Sequence, residues 1–143
     1  MAAVLICRDA LEDAVLGNLA LARAIARRGE ETHLVFTGEA LTALDTGVFR
    51  WSPNFKTRDV RSAVIARAEA RELPIAHGDL GSRWSDVRAL VRSMAAEPNL
   101  RLIACPLWSQ LLGLESELDS LEQIDEEELV DLLKKADTIV GGY

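Results

Sequence analysis

Cys105 is the residue of this chain whose setting best suits chemistry. It follows the continuous apolar run Leu100–Ala104, and Pro106 after it fits the first turn of a helix, where its missing N–H costs nothing. A cysteine at a helix N-terminus is close to backbone N–H groups and a partial positive charge, which favour the reactive thiolate. The spacing therefore predicts a buried strand that delivers a nucleophilic thiol to a helix start. The alternative is that Cys105 is a small buried hydrophobe.

Two further residues are candidate accessory groups. Cys7 ends the apolar run Ala2–Cys7 and is interpreted as a core residue, although a position beside Cys105 would make it a second thiol for sulfur transfer or a disulfide. His77, next to Gly78, is a candidate base or stabilising imidazolium, and the alternative is a solvated loop histidine.

Several familiar sites are excluded by the sequence. Two cysteines so far apart do not make a disulfide framework or a structural zinc site, and no metal or cofactor is expected. The first strand is followed by CRDALED rather than GxGxxG, and GxxxxGK[ST] is missing, so nucleotide binding lacks its usual phosphate cradle. CxxC and GxSxG are also missing, and neither cysteine has an arginine six residues later.

Length and charge limit the class of protein further. The 143 residues are predicted to form one domain, residues 1–143, with enough chain to bury a core. The net charge of −7 argues against a nucleic-acid partner, because phosphate contact needs an excess of Lys and Arg. No apolar run approaches the ~20 residues of a membrane span, so we expect no membrane partner and a cytoplasmic protein.

The order of elements predicts the fold. Strands are expected at 2–7, 32–37, 73–76, 100–104 and 138–140. Helices are expected at about 10–28, at GEALTAL (38–44), at 58–72, at about 84–94 and after Pro106 and Asp125. The first helix is expected to begin with a capping box formed by Asp9 and Glu12. This alternation predicts an α/β, three-layer Rossmann-like (flavodoxin-like) fold with about five mostly parallel strands and helices on both faces.

The same fold predicts where the candidate residues lie. Parallel sheets bind ligands beyond the carboxyl ends of their strands, and Cys7, His77 and Cys105 each follow a predicted strand. The irregular segment 46–57 is rich in aromatic residues. It is predicted to pack on the core or on another subunit, and the alternative is a substrate gate.

The carboxyl third resembles the DsrE/DsrF-like sulfur-relay proteins. The likeness rests on LRLIACPLWSQLLGL and on the acidic connection, helix and strand of LDSLEQIDEEELVDLLKKADTIV. It implies a Rossmann-like subunit, a homo-oligomer (trimer or hexamer), and a persulfide carried by Cys105 between sulfur donor and acceptor proteins. Pro106, Trp108 and Gln110 depart from the small and polar residues often found after that cysteine.

Two functions follow as hypotheses. The first is a sulfur carrier, or a sulfurtransferase-like subunit, with Cys105 as the persulfide cysteine. The second is a non-catalytic oligomeric module of the same fold that binds a small ligand or a partner. The sequence leaves open whether the protein is an enzyme.

Overall fold

A parallel β-sheet of five strands forms the centre of the protein, whose structure is a computed structural model that describes residues 1–55, 57–75, 86–114, 118 and 120–143. The strand order is β4-β3-β2-β1-β5, and every pair of neighbours is parallel. The strands are β1 (Ala2–Cys7), β2 (Glu31–Phe36), β3 (Leu100–Ala104), β4 (Glu122–Gln123) and β5 (Thr138–Gly141). The predicted Rossmann-like fold is confirmed.

Helices cover the sheet on both faces. They are α1 (Glu12–Ala26), α2 (Gly38–Thr46), α3 (Arg58–Ala70), α4 (Val87–Met94), α5 (Pro106–Leu111) and α6 (Glu126–Lys135). The chain moves from β1 to β4 in one direction across the sheet and then returns to β5 on the far side of β1. Because such crossovers are right-handed, α1 and α6 lie on opposite faces. The result is three layers.

The core is built on the central strand β2. Leu34 aligns with Leu5 on one neighbouring strand and with Leu102 on the other, and all three side chains are buried. Phe36 is also fully buried, and it aligns with the small residues Cys7 and Ala104. A strand buried on both faces needs a continuous apolar run, which is why the sequence pattern identified these strands.

The strand predicted at 73–76 is wrong for residues 73–75. Glu72 adopts a left-handed conformation with φ of 66°, and the Leu73 N–H donates back to the Ala68 carbonyl oxygen at 3.1 Å. Pro74 has no N–H to give to a neighbouring strand. The segment therefore forms a turn after α3, and residue 76 lies outside the described residues.

The structure contains a strand that the sequence did not predict, β4, which lies in the acidic connection. Its residue Glu122 binds the Arg101 guanidinium of the neighbouring strand at 2.6 Å, and Arg101 also reaches Glu128 on α6 at 3.3 Å. These contacts lower the pKa of the Glu122 carboxyl, chiefly through the hydrogen bond from Arg101. A partner far away in sequence thus holds a two-residue strand that has no pattern of its own.

The capping box predicted for the first helix is also wrong. Leu11 is the N-cap residue of α1 and no side chain caps the helix. Instead, the Glu12 N–H donates to the Arg50 carbonyl oxygen at 2.6 Å, so the aromatic segment supplies the acceptor. Asp13 is bonded by the backbone N–H and the hydroxyl of Ser52, at 2.8 and 2.6 Å.

Two aromatic residues of the segment 46–57, which is described except for residue 56, pack on the core as predicted. Trp51 is buried, and Phe49 is partly buried against the core. The backbone bonds to the start of α1 fix the segment in this position. In the part of the chain that the structure describes, no helix is long and apolar enough to cross a membrane.

Candidate functional site

Cys105 is the N-cap residue of α5, at the carboxyl end of β3. Its N–H donates to the Phe36 carbonyl oxygen at 2.9 Å, and its own carbonyl accepts the Ser109 N–H at 2.9 Å. The thiol makes no capping hydrogen bond, and Pro106 occupies the first turn. Hydrogen bonds therefore hold both the N–H and the carbonyl of Cys105, whereas its thiol does not cap the helix.

Cys105 is buried, and the helix α5 that follows it has an exposed surface that is mostly apolar. Cys105 is 5% exposed, whereas Leu111 is 73% and Trp108 is 42% exposed. Leu107 and Leu112 are exposed as well, and no charged residue occurs between 102 and 114. The helix α5 thus places an uncharged, apolar surface directly after a buried cysteine.

A cavity of about 450 Å³ lies next to α5. One side is formed by α5, with Pro106 and Ser109, and the other by the start of α6, with Asp125 and Glu126. The Ser109 hydroxyl oxygen is buried and has no hydrogen-bond partner within the described ranges. Its helical turn begins at Cys105, so a free hydroxyl follows the thiol by one turn.

Cys7 lies at the same edge of the sheet but not beside Cys105. Cys7 aligns with Phe36 on β2, and Phe36 aligns with Ala104 on β3. Two strand spacings separate β1 from β3 by roughly 9–10 Å. Because a disulfide needs Cα atoms within about 7 Å, the two cysteines do not form one within a subunit. Both are free.

Burial makes Cys7 a poor nucleophile. The residue is 2% exposed, and desolvation raises the pKa of its thiol to about 12 from 9.0. The core interpretation of Cys7 agrees with this position, and the role of a second reactive thiol does not.

The raised pKa of Cys7 predicts a loss of stability at alkaline pH. The folded protein keeps the thiol proton between pH 9.0 and about 12, where the unfolded chain releases it. This contribution to the free energy of unfolding is fully present below pH 9.0 and falls as the pH rises through that interval. Urea unfolding at several pH values across this interval measures the effect. We expect the free energy of unfolding to fall with pH less steeply for Cys7→Ala than for wild type, by up to about 1 kcal/mol per pH unit. Parallel declines would contradict the assignment.

The remaining candidate, His77, falls outside the described residues. Among the residues that are described, no group of three His, Cys, Asp or Glu side chains is placed to hold a metal ion. Of the three candidate residues, Cys105 is therefore the one that the structure places at a helix start.

Comparison with known proteins bears on the fold. No family model and no curated protein matches the sequence. The crystal structure of the YchN protein from E. coli matches with a TM-score of 0.61 and covers 99% of each chain, at 14% sequence identity. In its fold, this chain is similar to YchN. At this level of identity, the likeness shows a shared fold.

Sequence reasoning located the thiol but missed its surroundings. The uncharged run 102–114 was the available signal for the exposed face of α5, because a surface helix normally carries charge on its outer side. Ser109 had no sequence signal, since the burial of its hydroxyl depends on the packing of α5.

Proposed function

We propose that this chain is a DsrE-like sulfur-carrier subunit that holds a persulfide on Cys105. The observation that carries the proposal is the position of Cys105 at the N-cap of α5, where its thiol serves no capping role. A sulfur carrier needs a nucleophilic thiol at a rigid place beside a surface that a partner can approach. The apolar, uncharged face of α5 offers that surface.

The transfer is a thiol exchange. The Cys105 thiolate attacks the outer sulfur of a donor persulfide, a bond forms between the two sulfurs, and the S–S bond of the donor breaks. The donor leaves as a thiolate and takes up a proton. An acceptor thiolate then attacks the outer sulfur on Cys105, which restores the Cys105 thiol. The sulfane sulfur moves without net oxidation or reduction of the protein.

The burial of Cys105 sets a condition on this chemistry. Cys105 is only 5% exposed, so a donor reaches its thiol only when the structure around it opens. We propose that the part that moves is α5, which follows Cys105 directly and is six residues long. Short helices gain little stability from their own hydrogen bonds, so this movement costs less than unfolding the sheet. A partner that covers the apolar face of α5 would stabilise the displaced helix.

Sulfur loading tests the proposal. Incubation with a low-molecular-weight persulfide should add the mass of one sulfur atom to the wild-type protein, as read by intact mass spectrometry. Cys105→Ser should show no adduct, and Cys7→Ser should load like wild type because Cys7 is protonated and buried. Equal loading of wild type and Cys105→Ser would overturn the assignment.

A second candidate is favoured by the burial of both thiols. In this alternative, the protein is a non-catalytic module of the same fold, and α5 is a contact between copies of the chain. We propose self-association in both cases, as a trimer or hexamer, since four exposed apolar side chains on and directly after one short helix are costly in water. Sedimentation should then show smaller particles for Leu111→Lys than for wild type. An assembly that persists without any sulfur adduct would favour the second candidate.

The proposed location is the cytoplasm. Both cysteines are free, and a cytoplasmic carrier stays reduced between transfers.

A further inference from the structure

A second cavity lies at the carboxyl edge of the sheet, near the ends of β1 and β2. Its volume is about 530 Å³, which is within the range of small-molecule sites. One wall is a face of α2 that presents Glu39, Thr42 and Thr46. The other wall is formed by Leu11 and Arg50. No residue of the candidate sulfur site lines this cavity.

Backbone hydrogen bonds hold the second wall in place. The Arg50 N–H donates to the Ala10 carbonyl oxygen at 3.2 Å, and the Arg50 carbonyl accepts the Glu12 N–H at 2.6 Å. The bonds between Asp13 and Ser52 fix the chain two residues further on. A ligand that binds here does not have to order these segments, and preorganisation of this kind favours affinity.

Opposite charges face this cavity without neutralising each other. Glu39 and Arg50 both line it, yet in the described part of the chain neither side chain forms an ion pair or a hydrogen bond. Part of the surface around them is apolar, with Leu11, Ala43 and Val48. The cavity therefore offers a cationic group and an anionic group that are held apart, with apolar surface in the same space.

We propose that this cavity binds a short zwitterionic peptide, of the class of dipeptides with apolar side chains. The peptide carboxylate binds the guanidinium of Arg50, which matches a carboxylate in bidentate geometry. The peptide ammonium group binds the Glu39 carboxylate, and an apolar side chain packs on Leu11 and Val48. We choose a dipeptide over a single amino acid because the cavity, at about 530 Å³, has room for two residues with apolar side chains.

NMR titration of the whole chain with L-leucyl-L-leucine tests this proposal. We expect saturable shifts of the α2 and 48–50 amide signals with a Kd of about 1 mM or tighter. The N-acetylated peptide should bind wild type about fivefold more weakly than the free peptide does. Glu39→Gln should bind the free and the N-acetylated peptide equally well. Amidation of the peptide carboxyl group should weaken its binding to wild type by a similar factor but leave its binding to Arg50→Gln unchanged.

Both substitutions are at exposed positions, so the variants should fold like wild type. The absence of saturable shifts in wild type would overturn the proposal. Tighter binding of free L-leucine than of the dipeptide would also overturn it. A third contradicting result would be that Glu39→Gln and Arg50→Gln lose the same affinity on N-acetylation and on amidation of the peptide. The titration does not involve Cys105, so its failure would leave the sulfur-carrier proposal standing.

Discussion

Phe36→Ala should lower the free energy of unfolding by about 3–5 kcal/mol, the range for removing a fully buried phenylalanine. Phe36 is completely buried on the central strand, and the residues aligned with it, Cys7 and Ala104, are too small to fill the cavity left behind. Whole domains are stable by only about 5–15 kcal/mol, so this loss would be a large share of the total. Urea unfolding followed by far-UV circular dichroism measures it.

Phe55→Ala is the matched control for this prediction. Phe55 is 45% exposed in the aromatic segment, so its removal should cost less than about 1 kcal/mol. A small effect of Phe36→Ala, similar to that of Phe55→Ala, would contradict the central place of Phe36 in the core.

Arg23→Ala should be the second most destabilising of the substitutions considered, at about 2–3 kcal/mol. Arg23 is buried on α1, and its guanidinium donates to the carbonyl oxygens of Glu72 and Arg71 at 2.8 and 2.5 Å. Burial lowers the pKa of this guanidinium, yet it stays charged, so its bonds to these carbonyls are charge-assisted. The substitution would leave the end of α3 without these donors.

Arg27→Ala provides the control for Arg23, because it changes the same residue type one turn further along the chain. The side chain of Arg27 is 53% exposed and pairs with Glu97 at 2.8 Å. An exposed pair of this kind contributes little to stability, because water and salt screen the two charges. Thermal unfolding should therefore show a much larger drop in Tm for Arg23→Ala than for Arg27→Ala, and equal drops would refute the capping role of Arg23.

The sequence predicted the parallel sheet because its buried strands are continuous apolar runs. Residues Ala2–Cys7 and Leu100–Ala104 illustrate this, since both faces of each strand are covered. The strand Glu122–Gln123 was not predictable, because it has two exposed residues and is held by Arg101 from another strand. Local pattern finds elements that bury their own side chains, and it misses those that depend on a distant partner.

The candidate site was predictable in part for a related reason. The strand and Pro106 identified Cys105 as a residue at a helix start, because both signals are local. Its burial was not predictable, since that depends on how α5 packs above the sheet. The separation of Cys7 from Cys105 depends on strand order, which placed β2 between them. Sequence reasoning therefore found the thiol but not its accessibility.

The most direct test of the central claim is sulfur loading and discharge in one experiment. Intact mass spectrometry of the wild-type protein should show a single-sulfur adduct after exposure to a persulfide donor, and peptide mapping should assign it to Cys105. After removal of the donor, an added thiol should take up the sulfur and return the protein to its original mass. An adduct that forms on Cys7, or no adduct on Cys105 at any donor concentration, would contradict the account.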